Sequence, residues 1–157
     1  MKVSIHTCLY IIKHIIESRY NYGKCGGIFF IRTYKDGIDV SQYQGEINWE
    51  LVKNHIDFAI LRCGFGQDLP GQDDPTFKRN ADECTRLGIP FGVYLYSYAT
   101  DERAALSEAR HVMRLIQDYQ MEYPIYLDLE DPSIGRLTND QIEKNARVWA
   151  DELAKHN

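Results

Sequence analysis

Four short apolar runs alternate with four helix-like patterns, and this alternation restricts the fold more than any other feature of the chain. Gly37-Ile38-Asp39-Val40-Ser41, residues 58–63, residues 91–98 and residues 123–130 read as strands. Asn48 is placed to cap a helix holding Trp49, Val52 and His55. Asp74-Pro75 opens a second helix by the cap-then-proline rule. Phe77, Ala81, Cys84 and Leu87 share one face of it, Gly88 ends it, and Pro90 forbids resumption. Residues 101–119 carry a third stripe, Ala105, Ala109, Val112 and Ile116. Thr138-x-x-Gln141 is a capping box that starts a fourth helix with Ile142, Ala146, Trp149 and Leu153 inward. Strand–helix alternation with apolar strands implies an α/β fold, a parallel sheet covered by helices.

The length, 157 residues, suits one domain with a sizeable core. The formal charge of −5 is spread along the chain, so no clustered Lys/Arg marks a nucleic-acid partner. No run of 18 apolar residues is present, so no membrane span is expected. No strand is followed by Gly-x-Gly-x-x-Gly, a Walker loop or a Gly-x-Ser-x-Gly elbow, which leaves dinucleotide, nucleotide and serine-hydrolase chemistry without a motif. Four cysteines, Cys8, Cys25, Cys63 and Cys84, form no Cys-x-x-Cys pair. Cys63 and Cys84 read as buried free thiols.

Residues 1–35 do not follow the alternation. Lys13 and His14 interrupt the apolar cluster that a signal peptide would need. Ile12, Ile15, Ile16 and Arg19 have helical spacing, and residues 28–31 read as a short strand. The sequence therefore divides into an N-terminal extension, 1–35, and a domain, 36–157.

The chemistry lies in the acids. Asp128 and Glu130 are two apart on one strand, so they share a face with Tyr126, roughly 6.5–7 Å apart at Cα. Two close carboxylates push one pKa upward, which gives the protonated and ionised pair that glycosidases use. Alone, Asp-x-Glu also reads as capping of the Pro132 loop. Asp39, an acid inside another apolar strand, shifts the balance toward a site. A hard-metal reading of Glu130-Asp131 lacks further spaced oxygen ligands. Tyr94, Tyr96 and Tyr98 share a face and read either as rim packing or as a wall for sugar stacking. Arg62 ends an apolar strand, where it either pairs with a site acid or reaches solvent. His55 and His111 fall on helix patterns and read as structural or exposed.

Several ordered motifs resemble the glycoside hydrolase family 25 lysozymes. They are Gly37-Ile38-Asp39-Val40-Ser41 with Gln44-Gly45 and Ile47-Asn48-Trp49, the run from Phe58 through Arg62 to Phe65-Gly66, Asp74-Pro75-x-Phe77-x-x-Asn80, Gly88-Ile89-Pro90-x-Gly92-Val93-Tyr94, Tyr96-Ser97-Tyr98-Ala99, and Tyr123-Pro124-Ile125-Tyr126-Leu127-Asp128-Leu129-Glu130. The resemblance covers about residues 36–157. It implies a (β/α) barrel of TIM-like type and an N-acetylmuramidase cutting the β-1,4 bond after N-acetylmuramic acid in bacterial peptidoglycan. It implies Glu130 as general acid/base, Asp128 as the group that orients the substrate's 2-acetamido group or acts at the anomeric carbon, and Asp39 as a group that holds the sugar or tunes the pair. Tyr94, Tyr96, Tyr126, Arg62 and Phe65 become the expected sugar contacts. No metal or organic cofactor is implied, and the expected place of work is the cell wall or the extracellular space. The family domain normally continues past a helix like the last one here, so the expected fold is the first half of the barrel. Such a half either hydrolyses, or binds cell-wall carbohydrate without hydrolysis, or is a fragment of a longer frame. The sequence leaves the oligomeric state open.

Overall fold

The computed structural model describes residues 35–155. The helix expected around residues 12–19, the strand at 28–31 and the thiols of Cys8 and Cys25 lie outside the described residues. Strands β1 (Gly37–Val40), β2 (Phe58–Phe65), β3 (Phe91–Tyr96) and β4 (Ile125–Asp128) form one parallel sheet in the order β1-β2-β3-β4. Helices α1 (Trp49–Val52), α2 (Phe77–Leu87), α3 (Glu102–Ile116) and α4 (Asn139–Ala154) complete the alternation. Each strand neighbours the next in sequence, as in the opening part of a (β/α) barrel. No helix among the described residues is long and apolar enough to cross a membrane.

Period-two alternation sorts the side chains. Val40, Leu61, Cys63, Val93 and Leu95 face the helices and form one core with Trp49, Phe77, Cys84, Ala109 and Val112. Both expected buried thiols are there, free and buried, and burial pushes each up to about 12, so neither is a ready nucleophile. The other face is polar at the strands' C-terminal ends. At the opposite end it is plugged by rings: Phe58 stacks on Tyr123 at 4.4 Å. Gly37 and Gly92 make room for that plug. A Cβ on Gly37 would lie 2.2 Å from the Phe58 ring, and one on Gly92 would lie 2.5 Å from the Pro124 carbonyl oxygen.

Several boundaries differ from the sequence reading. Strand β2 runs on to Phe65 rather than stopping at Cys63, with a register shift between Arg62 and Gly64. Such a bulge re-aims the residues after it. Strict alternation from Arg62 would send Phe65 to the helices, but the shift sets it opposite Tyr96 on the polar face. Strands β3 and β4 end at Tyr96 and Asp128, so Tyr98 and Glu130 stand just past them. Helix α2 begins at Phe77, with Thr76 at the N-cap position making no side-chain cap hydrogen bond, because Asp74 uses its carboxylate and its carbonyl to shape the preceding turn. The capping box at Thr138 and Gln141 is formed as expected.

Gly92 offers a test of the close β3–β4 approach. Because a backbone carbonyl blocks the space, Gly92→Ala is expected to destabilise by about 1–3 kcal/mol, read as a lower urea midpoint. The same change at Gly135, where a Cβ meets nothing within 4 Å, is expected to leave the midpoint nearly unchanged.

Candidate active site

The parallel register assembles the polar face. Asp39 lies opposite Ile60, Arg62 lies opposite Tyr94, Tyr94 lies opposite Tyr126, and Tyr96 lies opposite Asp128. Four strands thus place Asp39, Arg62, Tyr94, Tyr96, Tyr126 and Asp128 on one face, with Phe65 added by the bulge. Asp39 is exposed and Asp128 half-buried. Burial pushes the Asp128 carboxyl up to about 6, helped by the negative charges of Glu130 and then Asp39, while the Glu130 backbone N–H donates to it and pulls the other way. Asp128 therefore feels both other acids, although Glu130 sits beyond the strand.

The competing role for these acids, capping the Pro132 loop, is filled by a different residue. Asp131 Oδ1 accepts from the Ser133 backbone N–H at 2.8 Å and from Ser133 Oγ at 2.6 Å. Tyr96 donates its hydroxyl to Asp131 Oδ2 at 3.4 Å. Leu127 and Leu129 turn to the opposite side, lining a small space with Ala105, Ile134 and Ile142.

Arg62 departs from both sequence readings. It is neither at a strand end nor in solvent but is buried at 7% exposure in the middle of β2. Its Nε donates to Asp74 Oδ2 at 2.7 Å, so its partner is an acid of the loop after β2 and not Asp39, Asp128 or Glu130. The guanidinium lies 4.9 Å from the Tyr43 ring centroid and 5.8 Å from that of Phe65, a cation–π arrangement. Its Nη2 is buried with no hydrogen-bond partner. Asp74 is the residue the sequence reading missed. It looked like a helix cap, and only its position under Arg62 reveals the ion pair.

The aromatic residues meet the acids from one side. Tyr94 is half-buried, and burial pushes its hydroxyl up to about 12, with the charges of Arg62, Asp39 and Asp128 close by. Tyr96 and Tyr98 meet edge-on at 5.3 Å, and Phe65 meets Tyr98 edge-on at 6.3 Å. Tyr98 is 43% exposed, which leaves much of its surface open for stacking. Among the described residues, no group of His, Cys, Asp or Glu is placed to hold a metal ion.

A parallel sheet with carboxylates at the C-terminal ends of its strands and an aromatic wall beside them defines the class: an α/β-barrel-type protein with a glycosidase-like acid cluster. The particular family follows from comparison. The model described as glycosyl hydrolases family 25 matches residues 38–157, and the chain belongs to that family. The uncharacterized protein YegX of Escherichia coli O157:H7 is 29% identical over 125 residues, 76% of this chain and 43% of that protein. The modular autolysin LytC from Streptococcus pneumoniae superimposes with a TM-score of 0.68 at 33% identity, over 78% of this chain and 30% of LytC. A family 25 glycosyl hydrolase from Bacillus anthracis has the same fold, with a TM-score of 0.68 at 22% identity over 89% of this chain and 62% of its own. This chain thus spans less than half the length of YegX or LytC.

Two measurements probe this geometry. Removing one partner of a buried ion pair leaves the other uncompensated, so Asp74→Ala is expected to destabilise by about 3–5 kcal/mol in urea unfolding. Asp128 acts in the opposite sense. Its folded value of about 6 lies above its ordinary 3.8, so the fold prefers the protonated acid and is weakened as pH rises from 3.8 through about 6. Asp128→Asn is accordingly expected to raise the melting temperature at about pH 8 and to gain nothing below about pH 3.5.

Proposed function

We propose that this chain carries catalytic residues of a peptidoglycan muramidase that hydrolyses the β-1,4 bond between N-acetylmuramic acid and N-acetylglucosamine, at the cell wall or outside the cell. The observation that carries the reading is the acid cluster. Asp128 is held near pH 6 by burial and by Glu130 and Asp39, on the face that also bears Tyr94, Tyr96, Tyr126, Arg62 and Phe65. A solved structure of LytC contains a synthetic peptidoglycan ligand, which supports the same substrate class here. In this reading Glu130, exposed past the end of β4, protonates the leaving oxygen and then activates water. Asp128, once ionised, orients and polarises the substrate's 2-acetamido group, which serves as internal nucleophile. Asp39 helps to hold the sugar. Tyr94, Tyr96, Tyr126 and Phe65 supply faces and hydroxyls for the sugar rings, and Arg62 stiffens the floor beneath them.

The unpaired outer edges of β1 and β4 among the described residues favour a second reading, in which this stretch binds cell-wall glycan without cutting it. Release of reducing ends from purified peptidoglycan separates the two. Hydrolysis by the wild-type chain and a loss of about 10²–10⁴-fold in Glu130→Gln are expected for the muramidase. Glycan binding without release supports the second reading, and undiminished activity in Glu130→Gln removes Glu130 from its role. Because Asp128 works on the acetamido group, Asp128→Asn is expected to remove most of the release of reducing ends.

A further inference from the structure

Two titratable residues of α3 are fully buried and take no part in the acid chemistry. Glu108 and His111 are three apart on one helix face, and both are 0% exposed. Glu108 Oε2 accepts from Ser97 Oγ at 2.7 Å, and its Oε1 accepts from the Tyr98 backbone N–H at 2.8 Å. His111 Nδ1 lies 3.0 Å from the Gly66 carbonyl oxygen, and its Nε2 lies 2.8 Å from Asp73 Oδ1. Both partners of the ring are acceptors. A carbonyl can only accept, and the Asp73 carboxyl is held well below its usual range, first by hydrogen bonding to Arg114. Both ring nitrogens thus face oxygen acceptors. Burial pushes the Glu108 carboxyl up, while Ser97, the Tyr98 N–H and the nearby His111 ring pull it back.

The groups held by this pair are the bases of the aromatic wall. His111 grips the residue that follows Phe65, and Glu108 grips the residue before Tyr98 and the backbone of Tyr98 itself. Gly66 N–H donates to the Tyr96 carbonyl at 2.9 Å, which joins the two loops. The ring of His111 fills the space beside Gly64, where a Cβ would lie 2.7 Å from Cε1. Gly66 has a φ of +63°, so its carbonyl is aimed by a backbone conformation that favours glycine.

The geometry points to Glu108 and His111 as positioning residues that set the Phe65–Tyr96–Tyr98 wall, and through it the affinity of the site for glycan. The affinity part of this inference rests on the sugar-binding reading above. The test uses the full chain and the double variant Glu108→Gln/His111→Gln, which removes both titratable groups together and keeps amide hydrogen-bonding groups. Near-ultraviolet circular dichroism reads the packing of the tyrosine rings without substrate, and far-ultraviolet dichroism confirms folding. Calorimetric titration with a GlcNAc–MurNAc tetrasaccharide reads affinity. The expected result is an altered near-ultraviolet signal in a folded protein and about tenfold weaker tetrasaccharide binding. In a Tyr98→Ala background the same double change is expected to weaken binding by less than it does in the wild type, because one ring of the wall it positions is already gone. An unaltered near-ultraviolet spectrum overturns the inference, as does a binding loss that simply adds to that of Tyr98→Ala. If the wild type shows no affinity for the tetrasaccharide while the spectrum changes, the positioning of the rings is upheld and the sugar-binding reading fails.

Discussion

The ion pair between Arg62 and Asp74 is the constraint on which the polar face depends. A guanidinium in the middle of a parallel strand, nine-tenths buried, is tolerable only when a carboxylate meets it. Asp74 does so while accepting from the Gln42 backbone N–H at 3.0 Å, the Thr76 N–H at 2.9 Å and Thr76 Oγ1 at 2.7 Å. One carboxylate thus ties the loop after β1, the centre of β2 and the entry to α2. Its neighbour Asp73 faces the other way and takes His111 and Arg114. Two consecutive acids in one loop therefore anchor both sides of the sheet, and the rings of Tyr43 and Phe65 settle on the guanidinium that results.

Against that fixed floor Asp128 is held close to the charges of two other acids. Asp128 has the most burial of the cluster and shows the effect, with its carboxyl displaced to about 6 by desolvation and by Glu130 and Asp39. Native packing does not relieve this. The loop that follows is capped by Asp131 instead, leaving the pair at the C-terminal edge of the sheet. Destabilised charge concentrated where strands end is the pattern expected of a site that trades stability for chemistry. Beneath it the Phe58–Tyr123 stack closes the other end of the sheet, where Gly37 admits the Phe58 ring and Gly92 admits the Tyr123–Pro124 backbone.

Much of this arrangement was legible in the residues. The apolar runs mark the four strands because a strand covered by helices must be apolar, and the stripes of Phe77, Ala81 and Cys84 or Ala105, Ala109 and Val112 mark the helices because 3.6-residue spacing aligns them. Tyr94 with Tyr96, and Tyr126 with Asp128, share faces by period two alone. Phe65 was named from its motif, but its face depends on the register shift after Arg62, and alternation pointed it the wrong way. Arg62 looked like a strand end because a charge in a central strand is unexpected without its partner. Asp74 looked like a cap, which is half its role. His111 and Glu108 gave no signal beyond helical position, since a buried charge can be recognised only when the groups that solvate it are known.

Local patterning, then, accounts for the order of strands and helices, for the parallel sheet, and for which residues could gather at its C-terminal end, because periodicity and capping act over a few residues. Pairings across 12 residues, between Arg62 and Asp74, and across 38 and 45, from His111 to Asp73 and Gly66, are set by how loops fold back over the sheet. So is the displaced carboxyl of Asp128, which depends on desolvation and on charges brought from β1 and from beyond β4. Those are properties of space, and they came into being when the strands were placed side by side.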